Sequence, residues 1–212
     1  MIYRLTVGEI QTNCWIIPLP KNEKECIVVD PGGEGETILA RLEKLNLNPR
    51  YIVLTHAHFD HIAALPKLAA AFPSVEIAIH QEEANKLGPE SLEFHRQDFA
   101  AVGASAYVET LWKPMPSATL LLQEGHELGP FRILHLPGHS PGSIGLYWKE
   151  EKILISGDTL FRMGIGRTDL YGGEQEILAR SLQRLFTLDE DTVVFPGHGA
   201  RTTIGREKGV YF

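Results

Sequence analysis

Cysteine is nearly absent from this 212-residue chain, which carries only Cys14 and Cys26. Their spacing excludes a CxxC redox or zinc motif, and two thiols make no disulfide scaffold, so metal chemistry must use nitrogen and oxygen donors. A cationic excess is lacking too. Twenty Lys and Arg stand against 27 Asp and Glu, a formal charge of −7 at pH 7. That balance opposes broad binding to phosphate backbones or anionic membranes, because few counterions would be released. No apolar run reaches the ~18 residues of a membrane span, and no segment repeats. Met1 to Leu5 shows no signal-peptide pattern. These absences predict a cytoplasmic protein acting on a small molecule, without nucleic-acid or membrane partners. They leave the oligomeric state open.

What is present is the composition of a folded chain, 43% hydrophobic and 22% charged. The length suits one domain over residues 1–212, with a partly helical insertion at about 81–118 of the kind often used as a lid. Apolar or alternating runs predict strands at 3–7, 14–17, 26–29, 51–55, 76–79, 119–122, 131–134, 144–148, 153–155 and 192–195. Helical periodicity predicts helices at 36–45, 62–72 and 175–186. Several strands are apolar throughout, which suits two sheets packed face to face with helices outside, an α/β class.

The densest chemical signal is Thr55-His56-Ala57-His58-Phe59-Asp60-His61, directly after an apolar strand and directly before a helix. This HxHxDH run is far more specific than a lone GxGxxG. Three further strand ends deliver similar groups: His139 in Pro137-Gly138-His139-Ser140-Pro141-Gly142, Asp158 in Gly157-Asp158-Thr159, and His198 in Pro196-Gly197-His198-Gly199. Glycine and proline beside each let the backbone turn tightly toward a shared point. Five histidines and two aspartates are too many for one tetrahedral ion and suit two metals sharing a carboxylate. Imidazole and carboxylate without thiolate fit zinc first, with iron or manganese also admissible. A binuclear centre at neutral pH points to hydrolysis.

These motifs resemble the metallo-β-lactamase fold superfamily, a four-layer αββα sandwich, from Val29-Asp30-Pro31-Gly32 through His198. Gly138-His139-Ser140-Pro141-Gly142, Gly157-Asp158-Thr159-Leu160-Phe161 and Pro196-Gly197-His198-Gly199 are similar to the glyoxalase II (hydroxyacylglutathione hydrolase) branch and its short bacterial relatives. The resemblance implies His56, His58 and His139 on one metal, Asp60, His61 and His198 on the other, and Asp158 bridging both. Asp60 and Asp158 would be the catalytic carboxylates, with Asp60 able to shuttle a proton. Arg167 matches a basic substrate-contacting position, where its fork of donors could hold a carboxylate, or else pair with Asp169. The implied reaction is hydrolysis of a thioester such as an S-2-hydroxyacylglutathione.

Departures from the family patterns shape the alternatives. Zinc β-lactamases tend to replace the histidine at the His61 position or to use a cysteine ligand, so β-lactam cleavage is disfavoured. Ser143 stands where many relatives have another histidine, outside the seven ligands. Only fourteen residues follow His198, leaving no room for the helical domain that grips glutathione in longer enzymes. Gly166-Arg167-Thr168-Asp169 is similar to mononuclear iron persulfide dioxygenases, which with lactonase and a non-catalytic metal-binding module complete the alternatives. His80, His95, His126 and His135 are expected to be structural, Asp30 to hydrogen-bond backbone near the HxHxDH loop, and the insertion's aromatics to anchor it. Arg201, Thr202, Thr203 and Arg206 are expected in a solvated C-terminal turn.

Overall fold

The computed structural model describes residues 2–211, so Met1 and Phe212, the bounds of the expected domain, lie outside the described residues. Contacts gather the chain into two compact units, Met1–Leu121 and Leu122–Phe212.

In the first unit, β1 (Tyr3–Val7), β2 (Thr12–Leu19), β3 (Asn22–Val29), β4 (Asn48–Val53), β5 (Glu76–His80) and β6 (Leu120–Leu122) form one sheet in that order. β1 to β3 are antiparallel; β3, β4 and β5 run parallel and therefore need crossovers. Helix α1 (Gly35–Leu45) supplies the first, and α2 (Phe59–Ile62) with α3 (Leu65–Ala71) the second. On one face Ile16, Val28 and Ile52 pack with Ile38 and Leu42 of α1 and Leu65 and Leu68 of α3. Each such side chain contributes roughly 1.5–3 kcal/mol by leaving water. Ile17, Ile27, Val29 and Val53, alternating with that set, are buried as well, which explains the apolar strands.

Two local expectations shift, each for a stated reason. The single helix predicted at 62–72 is two, because Pro66 lies in the first turn of α3 and lacks the N–H that a continuous helix would need. The freed amide of Ala64 donates instead to Pro31 O at 2.9 Å. Strand β4 ends before residue 55, because the Thr55 amide turns away to the Asp30 carboxylate at 2.8 Å.

The insertion contains a 3₁₀ turn (Gln81–Lys86), α4 (Leu92–Ala100) and α5 (Ser105–Leu111). It is packed rather than loose: Phe99, Val108 and Met115 are buried in the same core as Phe59. The Phe59 ring lies 5.7 Å from Tyr107, 6.1 Å from Trp112 and 6.3 Å from Phe99, which bears out the anchoring expectation. Cys14 and Cys26 are also buried here; burial pushes the Cys26 thiol up to about 12 and Cys14 well above the usual thiol value.

The second unit has β7 (Glu127–Leu128), β8 (Phe131–His135), β9 (Ile144–Trp148), β10 (Ile153–Gly157), a small hairpin β11 (Leu160–Phe161) and β12 (Gly164–Ile165), then β13 (Val193–Pro196) and β14 (Thr202–Thr203). The sheet order is β14-β13-β10-β9-β8-β7. β10 and β13 are parallel, joined across α6 (Gln175–Leu185), whose Leu178, Leu182 and Leu185 pack with Leu154 and Val194. The expected solvated C-terminal turn is instead β14 followed by α7 (Ile204–Tyr211). Glu207 of α7 is fully buried, bonded to the Thr202 hydroxyl and accepting from Met163 N at 2.8 Å. The small hairpin, two-residue strands and α7 were too short for periodicity to reveal. Among the described residues no helix is long and apolar enough to cross a membrane.

Candidate metal centre

The carboxyl ends of the parallel strands carry the candidate ligands, where side chains from open α/β sheets can converge on a ligand. In the first unit the turn after β3 meets the loop after β4. Asp30, at φ 51°, aims its buried carboxylate at that loop. Its Oδ1 accepts from Thr55 N at 2.8 Å, and its Oδ2 accepts from Thr55 Oγ1 at 2.7 Å and faces His61 Nδ1 at 3.0 Å. The expectation for Asp30 is met, with His61 as an additional partner.

These contacts fix which imidazole nitrogens hold lone pairs. The Asp30 carboxylate can only accept, so His61 Nδ1 carries the proton and Nε2 does not. Thr55 spends its one hydroxyl proton on Asp30, so its oxygen accepts from His56 Nδ1 at 3.0 Å, again leaving Nε2 as the basic atom. His58 Nε2 faces the buried Asp98 Oδ2 at 3.7 Å. The His56 ring centroid lies 4.6 Å from His58 and 4.2 Å from His61. Asp60 Oδ2 accepts from Thr12 Oγ1 at 3.1 Å and sits 3.6 Å from His61 Nε2. All four ligand candidates of this loop are buried.

In the second unit Asp158 follows β10, His198 follows β13, and His139 lies in the loop after β8. Asp158 Oδ2 is 3.4 Å from His198 Nε2 and 3.8 Å from His139 Nε2. His139 Nδ1 donates to the Arg167 carbonyl at 2.8 Å, so its Nε2 too is the basic atom. Gly197 N donates to Gly157 O at 2.8 Å, tying the two ligand loops together. The seven predicted ligands therefore lie as four in one loop of the first unit and three around Asp158 in the second.

Neutral imidazoles locked with Nδ1 outward and Nε2 basic are the form a divalent cation takes, and the partner on the other nitrogen fixes the ring. Three of the histidines meet that condition, so the residues fit a metal. Removing the anchor should show it: Asp30→Ala is expected to weaken metal binding about 10–100-fold, measured by chelator competition.

Arg167 is half exposed and engages Asp169 in a two-pronged pair, Nε to Oδ1 at 2.6 Å and Nη2 to Oδ2 at 2.8 Å. The guanidinium holds the Asp169 carboxyl down at about 2. The ion-pair alternative is thus what this structure contains, while the Arg167 main chain serves His139. His95 is structural as expected: fully buried, bonded to Lys86 O at 2.8 Å, and driven by burial to a pKa of about 4. Thr12, Glu83 and Asp98 escaped the sequence reading, since none stands in a motif or at a strand end before a turn.

The family model of the metallo-beta-lactamase superfamily matches residues 7–198. The probable metallo-hydrolase YqgX of Bacillus subtilis is 41% identical over 210 residues, covering 97% of this chain and 93% of that protein. The hydroxyacylglutathione hydrolase GloC of Haemophilus influenzae is 40% identical over 205 residues, covering 96% and 93%. Among solved structures, the BLEG-1 B3 metallo-beta-lactamase superposes with a TM-score of 0.85 at 37% identity over 99% of this chain and 97% of that one. TTHA1623 in a di-iron-bound form gives 0.83 at 37% identity, covering 97% and 96%.

Proposed function

The chain belongs to the metallo-β-lactamase superfamily and is a metal-dependent hydrolase, and within that class we propose that it cleaves the thioester of an S-2-hydroxyacyl thiol such as lactoylglutathione. The observation that carries the reading is the complete nitrogen-and-oxygen ligand set, His61 included, with its histidines held in the ligating tautomer. Likeness to GloC, named for hydroxyacylglutathione hydrolysis, supports the substrate.

His56, His58 and His139 would hold one ion, Asp60, His61 and His198 the other, and Asp158 both. When bound, two divalent cations supply Lewis acidity and lower the pKa of coordinated water. The protein's own work is orientation. Asp30 and Thr55 fix the rings of His61 and His56, and the Arg167 carbonyl fixes His139. The Thr12 hydroxyl donates to Asp60 Oδ2, steering that carboxylate, which can relay a proton during acyl cleavage. A thiol with a pKa near ~8.5 departs as thiolate, so the chain needs no dedicated acid for the leaving group. The Arg167 guanidinium reaches a substrate carboxylate by exchanging Asp169 for it.

Likeness to BLEG-1 favours one second reading, β-lactam ring opening. One preparation separates the two. The metals per chain are counted, and the same sample is then assayed with S-lactoylglutathione, a cephalosporin, and glutathione persulfide with oxygen uptake recorded. Two metals and rapid thiol release support the proposal. Cephalosporin turnover without thiol release favours the second reading, and one iron with oxygen consumption overturns both.

A further inference from the structure

Expected from sequence as a lid, the first half of the insertion carries a buried polar chain instead. Glu83 is fully buried, yet its Oε2 accepts from Ala57 N at 3.1 Å, the amide between the ligands His56 and His58. Lys86, 3% exposed, places Nζ 2.9 Å from the same carboxylate and 5.3 Å from the Phe94 ring centroid. The Lys86 carbonyl accepts from His95 Nε2 at 2.8 Å. Three residues on, along the same face of α4, the buried Asp98 reaches His58 Nε2 at 3.7 Å. One continuous run thus touches the metal loop twice, at its main chain and at a ligand ring.

A buried carboxylate is costly unless it is paired and hydrogen-bonded, and apolar replacement of such a pair is commonly neutral for stability. Anchoring the entry to α4 does not by itself need the charges, because Phe99 already packs that helix into the core. What the Glu83 carboxylate adds is an acceptor at one amide of the HxH turn. We infer that segment 81–98 is a positioning brace for the metal loop, Glu83 setting the backbone between His56 and His58 and Asp98 setting the His58 ring. The inference rests on the metal reading above.

Two double variants isolate the role of Glu83, with zinc as the probe in chelator competition. Glu83→Gln with Lys86→Met keeps an acceptor for Ala57 N and removes both charges; Glu83→Leu with Lys86→Met removes the acceptor as well. The first is expected to bind zinc within about threefold of the wild type, and the second about 10–100-fold more weakly. Asp98→Leu leaves the Glu83 and Lys86 pair in place and is expected to weaken zinc binding about tenfold, which keeps the test open should the apolar pair not fold. Linkage adds an independent readout: zinc loading should slow hydrogen exchange across α4 in the wild type and not in Asp98→Leu. Zinc binding as tight in the acceptor-free pair and in Asp98→Leu as in the wild type would overturn the brace, as would equal losses in both double variants. A wild-type protein that takes up no metal overturns the metal reading itself.

Discussion

Asp158→Ala should abolish hydrolysis, with a loss beyond the roughly 10–100-fold typical of a ligand's outer partner, and metal content should fall with it. Asp158 Oδ2 stands within 3.8 Å of the Nε2 atoms of both His139 and His198, and no other carboxylate among the ligands of its unit can take its place. Without it two imidazoles remain, and the anion that would offset two dications is gone. Asp158→Asn separates charge from shape: it keeps the volume and one acceptor, so the shortfall it shares with Asp158→Ala measures the charge. Elemental analysis and turnover on the same samples check this; an alanine variant with wild-type metal content and rate would show that Asp158 bridges nothing.

Gly166→Ala should be nearly as damaging, though residue 166 bears no functional group. A Cβ there would sit 1.9 Å from the Asp158 carbonyl oxygen and 3.1 Å from His139 Cβ. Real atoms do not approach so closely, so either the β12 end or the Asp158 backbone must move. Overpacking against backbone costs about 3 kcal/mol or more, which for a chain of this size lowers Tm by roughly 6–12 °C. Because the displaced atoms belong to two ligand residues, metal affinity should fall in the same variant. Gly199→Ala is the control, since nothing lies within 4 Å of the Cβ it would add, although its φ of 74° brings a smaller backbone strain. Melting curves with and without metal distinguish the two.

The ligands were legible because each stands in a short local pattern. His56 to His61 are contiguous, and His139, Asp158 and His198 each end a strand beside glycine or proline. Their orienting partners were legible only where an apolar strand broke at a turn, as at Asp30. Glu83 and Asp98 lie in a segment without strand periodicity, and a carboxylate in a helix reads as a solvated surface until packing shows it buried. Arg167 illustrates the other limit: GRTD announces a basic residue near the site, but whether its guanidinium faces Asp169 or a ligand depends on a local turn that spacing does not encode. The break between α2 and α3 was written in Pro66, and the reading of one helix over 62–72 gave its apolar periodicity more weight than the missing amide.

The burial of Cys14 and Cys26 has a practical consequence at the bench. Protonated and sealed inside the first unit, the chain's two thiols neither exchange with a released thiol product nor react with disulfide dyes while the protein stays folded. A chromogenic disulfide reagent can therefore report turnover continuously in the cuvette, with a silent enzyme blank. The same blank turning yellow would announce unfolding, giving one colour change for catalysis and another for denaturation.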